Sequence, residues 1–160
     1  MWISRLELIN FKSYQHQVFE FPSPSQGKNI ILIGGMNGYG KTTILEALYL
    51  GLYGKDSIIH LARAGIKGDV GYPVFLERAL HGHALKTKRD TMSVMVQINT
   101  NDHEGFQVIR KWFFSPKGDW RDEEILIYDI RDGIRIQTRN ADQIEEILDQ
   151  YFVPAHLGKR

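Results

Sequence analysis

The sequence predicts an α/β fold in which mixed and antiparallel strands pack on a helix that follows a glycine-rich loop. Three observations lead there. The run NIILIG at 29–34 is β-branched and apolar without alternation, as in a strand covered on both faces, and it ends directly in the loop GMNGYGKT at 35–42. The stretch TTILEALYLGLY follows, with Ile44, Leu45, Leu48 and Leu52 at helical spacing. Further on, TMSVMVQI, FQVIRKWFF and EILIYDI read as strands separated by the turn-rich NTNDHEG and SPKGDWRDE, which predicts an antiparallel meander over 91–138.

Before the loop, WISRLELINF alternates through Ile3, Leu6, Leu8 and Phe11, and HQVFEF at 16–21 reads as its hairpin partner across Lys12-Ser13-Tyr14-Gln15. Pro22, Ser23, Pro24, Ser25 and Gly27 then break the chain. After the loop, Gly51 and Gly54 mark where the helix weakens and stops, and 55–71, with little periodicity, reads as a surface loop or irregular segment. YPVFLERAL at 72–80 predicts a short helix with Pro73 in its first turn. His81-Gly82-His83 lacks a nearby carboxylate or third histidine at ligand spacing and reads as loop. The cluster from Lys86 to Arg89 fits a solvated loop better than a DNA-backbone contact. Trp112, Phe113 and Phe114 alternate on a strand, which favours packing over base stacking. RDGIRIQT adds a fourth strand after Asp132-Gly133, and a closing helix at 140–152, capped by Asn140, aligns Ile144, Ile147, Leu148 and Tyr151.

At 160 residues and 42% hydrophobic content, the chain is expected to form one domain with a sizeable core. Twenty Lys+Arg against nineteen Asp+Glu leave a net charge of +1, so any nucleic-acid contact must come from a local patch. Without cysteine there is no disulfide, thiolate metal site or cysteine nucleophile. The first dozen residues carry Arg5, Glu7 and Lys12 and lack the apolar run of a signal peptide, and no run reaches the roughly 18 apolar residues of a membrane span. The expectation is a cytoplasmic protein.

The loop at 35–42 satisfies G-x-x-x-x-G-K-[ST], the phosphate-binding P-loop. Gly35, Gly38 and Gly40 can adopt backbone angles closed to other residues, so successive N–H groups point inward around an anion. The helix that starts near Lys41 adds its N-terminal amides and the positive end of its dipole. Lys41 supplies a mobile charge for the β and γ oxygens of a nucleotide, the Thr42 hydroxyl is a hard oxygen ligand for Mg²⁺, and Thr43 can reach the α-phosphate. Hydrolysis needs more: a carboxylate for Mg²⁺ through water and a group that orients the attacking water. Asp129 follows an apolar run but, beside Glu123, Glu124 and Arg131, reads as an edge-strand carboxylate, so no catalytic residue is assigned. DHEG at 102–105 fits a guanine-nucleotide switch only on paper, and no N-K-x-D accompanies it.

RLELINFKSYQHQVFEF, the interval of about twenty residues and NIILIGGMNGYGKTTILEALYLGLYGK together resemble the N-terminal half of the ABC-type ATPase heads of SMC and double-strand-break-repair proteins. Within that group the chain most resembles the DndD family, ATPases of bacterial DNA phosphorothioation, through FLERALH, VIRKWFF and IEEILDQYFVPAHLGK as well. The resemblance implies ATP and Mg²⁺ as ligands, phosphate contacts from Asn37, Gly38, Tyr39, Gly40, Lys41, Thr42 and Thr43, and Mg²⁺ on Thr42. It also implies that Lys12 and Ser13 reach the nucleotide from the side. Tyr39 departs from the small residue usual there. The family's signature motif, Walker B acidic pair and switch histidine are absent, so the expectation is a single truncated N-terminal lobe spanning 1–160. Its implied partners are a second ATPase lobe, a head dimer, other DNA sulfur-modification proteins and DNA. The alternatives are a double-strand-break-repair or RecF-like ATPase head, or a nucleotide-sensing module that does not hydrolyse.

Overall fold

A computed structural model describes residues 1–23, 39–65, 70–80 and 90–151, with the side chains of 39–41 and 151 outside the description. A hairpin of β1 (Trp2–Phe11) and β2 (Tyr14–Glu20) comes first. Helices α1 (Tyr39–Tyr53), α2 (Ser57–Arg63) and α3 (Tyr72–Ala79) follow. The chain then runs through β3 (Thr91–Asn99), β4 (Glu104–Phe114), β5 (Trp120–Arg131) and β6 (Ile134–Arg139), and reaches α4 (Ile144–Tyr151) after a 3₁₀ turn at Ala141–Gln143.

The six strands form one sheet in the order β2-β1-β3-β4-β5-β6, and every pairing among the described residues is antiparallel. The apolar run at 29–34, on which a mixed sheet was expected, lies outside the described residues, as do His81, His83 and the cluster from Lys86 to Arg89.

Period-two alternation decides which face is covered. Leu6, Val96, Val108 and Ile127 stand side by side across four strands, and all are completely buried. Helix α1 lies on this face. A Cβ on Gly51 would come within 2.9 Å of a Val94 methyl and 3.0 Å of one on Val96, so the glycine lets the helix approach the sheet rather than weakening it. Alternation also separates the aromatic run: Trp112 and Phe114 are buried, whereas Lys111 lies over the Phe113 ring at 5.5 Å from its centre on the opposite face.

Three expectations are corrected. Residues 55–71 are not simply irregular: a 3₁₀ turn at Gly54–Asp56 leads into α2, whose Leu61 and His60 are buried and whose His60 ring sits 4.1 Å from that of Tyr53 on α1. The first hairpin turns on Lys12 and Ser13 alone, because Phe11 already pairs with Tyr14. Asn140 caps a 3₁₀ turn, accepting from the Asp142 amide at 3.0 Å, and the α-helix begins only at Ile144.

Candidate functional site

Of the residues singled out in the loop, Gly35, Asn37 and Gly38 lie outside the described residues. Among the described residues, helix α1 starts at Tyr39. Tyr39, Gly40 and Lys41 form the first positions of α1, so the backbone amides of this end belong to a helix of 15 residues. Thr42 is exposed and Thr43 is buried. An exposed hydroxyl in the first turn is an oxygen ligand that suits Mg²⁺, and the N-terminal amides of a helix suit the phosphate such an ion accompanies.

Helix α1 is buried most of the way round, through Ile44, Ala47, Leu50, Gly51, Leu52 and Tyr53. Leu45 and Leu48, expected on the buried stripe, are only half-buried, and Glu46 is inside instead. Sequence reasoning missed Glu46. The signal was an acid three residues after Thr43 and four before Leu50, on the stripe that the core covers.

Lys12 comes to this helix from the β1–β2 turn. Its ammonium lies 2.6 Å from the Glu46 carboxylate, and its side chain is 26% exposed against 3% for Glu46. The backbone there is unusual: Asn10 and Lys12 both have left-handed φ, 55° and 51°, at a cost of about 1 kcal/mol each for residues with a Cβ. Long-range bonds hold the turn in place. The Asn10 side-chain amide donates to the Thr91 carbonyl at 2.9 Å, the Lys12 amide donates to the Ala79 carbonyl at the end of α3, and Phe11 bridges to Leu80. Ser13, the other residue expected beside the nucleotide, is exposed.

The far end of α1 is built differently. Arg110 stands on the covered face of β4, in a row with Leu8, Val94 and Ile125. Its Nε donates to the Gly51 carbonyl at 3.3 Å and its Nη2 to the Leu52 carbonyl at 3.4 Å, while Nη1 meets the Glu123 carboxylate at 3.2 Å. These carbonyls are the negative end of the helix dipole, so a buried guanidinium caps it. Gly54 makes room, since at φ 58° a Cβ would lie 2.6 Å from Arg110 Nη1. Glu123 also faces the partly buried Tyr72 of α3, whose phenol accepts from the Trp112 indole at 2.7 Å. Burial, and then the Glu123 charge, hold the Tyr72 phenol well above its ordinary pKa. Arg110 too was missed, although alternation along FQVIRKWFF puts it on the same face as Val108 and Trp112.

Asp129 is not on an edge strand, because β6 lies outside β5. It accepts from Arg139 Nε at 2.7 Å, pairs across the sheet with Phe106, and serves as the structural half of an ion pair. Among the described residues there is no cluster of three or more metal-ligating side chains, and no helix long and apolar enough to cross a membrane.

A family profile described as an AAA domain matches residues 5–153. The DNA replication and repair protein RecF of Carboxydothermus hydrogenoformans is 46% identical over 56 residues, which is 35% of this chain and 14% of that relative. The DNA double-strand break repair Rad50 ATPase of Methanopyrus kandleri is 34% identical over 90 residues, covering 55% of this chain and 10% of the relative. The corresponding Rad50 ATPase of Archaeoglobus fulgidus is 28% identical over 111 residues, 69% of this chain and 12% of its own length. The matched stretch thus spans between 10% and 14% of these relatives.

Proposed function

This chain belongs to the AAA domain family, and from that premise we propose that it binds ATP through the loop at 35–42, as the nucleotide-binding part of an SMC-like ATPase that works on DNA. The observation that carries the reading is the start of α1 inside the G-x-x-x-x-G-K-[ST] motif, with Thr42 exposed in the first turn and the opposite end of the helix already neutralised by Arg110. Helix amides and dipole then serve the phosphates, Lys41 adds a full charge, and Thr42 and Thr43 offer hydroxyls. Mg²⁺, held by Thr42, would neutralise charge on the β and γ oxygens. Lys12 and Ser13 approach from the side.

We assign no catalytic base or metal-binding carboxylate to this chain, since Asp129 is committed to Arg139. By itself the chain should bind ATP and turn it over poorly, and a second ATPase lobe in a head dimer would supply what hydrolysis still needs. Two specialisations share this machinery. Support of DNA phosphorothioation, alongside other sulfur-modification proteins in the cytoplasm, rests on the FLERALH, VIRKWFF and IEEILDQYFVPAHLGK segments. A role in DNA repair is favoured by the RecF and Rad50 relatives. Sulfur-transfer genes beside the coding gene would select the first, and their absence the second.

Titration with a fluorescent ATP analogue tests the shared reading. Binding that needs Mg²⁺ and falls at least about tenfold in Lys41→Ala is expected, a loss of roughly 1.4 kcal/mol. Equal affinity of the variant and the parent chain would remove the P-loop assignment. Vigorous Mg²⁺-dependent turnover by the chain alone, abolished in Lys41→Ala, would remove the need for a second lobe.

A further inference from the structure

We infer that Glu46 is a positioning residue of the nucleotide site: it fixes the Lys12 ammonium beside the first turn of α1, where the N–H donors that the carboxylate leaves free serve a phosphate oxygen. This rests on the ATP-binding reading above. The turn that carries Lys12 is set independently of Glu46. Asn10 is tied to β3 through the Thr91 carbonyl, the Lys12 amide is tied to Ala79, and Phe11 is tied to Leu80. Left-handed backbone at both Asn10 and Lys12 is unfavourable and persists because these anchors dictate it. The result is a lysine aimed at one helix.

Helix geometry says what it is aimed at. Glu46 is four residues after Thr42 and three after Thr43, so the three share a side of α1, about one turn apart. The Glu46 carboxylate is inside, the Lys12 ammonium 2.6 Å from it is about a quarter exposed, and Thr42 is open to solvent. The ammonium therefore lies at the boundary between the interior and solvent, on the side of α1 that Glu46 shares with Thr42. An ion pair with a buried carboxylate favours the ammonium staying beside Glu46 when the site is empty. An ammonium has three donors, and its contact with Glu46 is to a single carboxylate oxygen. The cation is held in place before the ligand arrives, which spares the ordering of a long side chain on binding.

The test is titration of a fluorescent ATP analogue into the parent chain, Lys41→Ala, Glu46→Gln, Lys12→Ala, Lys12→Arg and the Glu46→Gln/Lys12→Ala double variant, with circular dichroism to verify folding. Glu46→Gln and Lys12→Ala are each expected to weaken binding by about fivefold, the double variant no more than either alone, and Lys12→Arg to recover most of the loss. Should Glu46→Gln fail to fold, Glu46→Asp, which keeps the charge but shortens its reach toward Lys12, carries the same prediction, with no loss of affinity overturning it. Affinity within about twofold of the parent for Lys12→Ala or Glu46→Gln, while Lys41→Ala has lost binding, overturns the role of the pair and leaves the P-loop reading standing. Losses that add in the double variant overturn it as well. No binding by the parent chain, or no loss in Lys41→Ala, sinks both.

Discussion

The two ends of helix α1 solve opposite problems. At the C-terminal end, the carbonyls of Gly51 and Leu52 receive the buried Arg110 guanidinium, itself paired with Glu123, and the negative pole is permanently satisfied. At the N-terminal end, Thr42 is exposed and a partly exposed Lys12 meets Glu46 one turn further along, and on the proposed reading the positive pole there serves an anion. One end is architecture, and the other is where we propose that a ligand binds. The same backbone dipole acts in both places, and the difference lies in what the sheet and its turns bring to each pole.

Arg110→Ala tests whether the ends are independent, and it carries the largest expected effect. Removing the guanidinium leaves two helix carbonyls and Glu123 without their cation, which should cost about 3 kcal/mol of unfolding free energy or more in urea denaturation. ATP affinity per folded molecule should stay close to that of the parent. A comparable fall in affinity would show that the two poles are coupled through the helix.

A smaller effect is expected in the middle of the helix. Gly51→Ala puts a methyl against Val94 and Val96, whose β-branched side chains have little room to turn, and should cost about 1–2 kcal/mol despite the better helix propensity of alanine. A cycle with Val94→Ala should recover part of that loss. Full additivity would mean that the helix simply lifts from the sheet.

The smallest effect concerns the network behind Arg110. The Tyr72 phenol is held above its ordinary value near 10 by burial and by Glu123, so the folded state favours the neutral phenol. Its contribution to stability is complete below about pH 10 and is lost as pH rises from there toward the folded value. In Tyr72→Phe, unfolding free energy measured across alkaline pH should decline less steeply than in the parent chain. At neutral pH the variant should lose about 1 kcal/mol, the worth of the Trp112 hydrogen bond. Parallel alkaline profiles would show that Tyr72 ionises as freely in the fold as outside it.

Much of this was written in local patterns. The glycine-rich motif and the apolar spacing after it foretold a helix, and the alternation of FQVIRKWFF foretold which of its residues share a face. Helix α2 was not legible: it has only seven residues, and His60 and Leu61 are buried by packing on α1 rather than by any periodicity of their own. The buried stripe of α1 was misplaced for a related reason. A helix covered on more than one side has no single apolar arc, so Leu45 and Leu48 looked as central as Ile44 and Leu52, and Leu50 was passed over.

By itself, the sequence determined the family's loop, the helix that leaves it and the period of the strands, because each depends on residues a few positions apart. Only the tertiary structure decided which charges are interior and what they hold. Arg110 meets a carbonyl 59 residues away, and Lys12 meets Glu46 only because a strained turn, anchored to β3 and α3, delivers it there. Burial of a charge is stable only beside a partner, and that partner can be distant in the chain, so local pattern carries no trace of it.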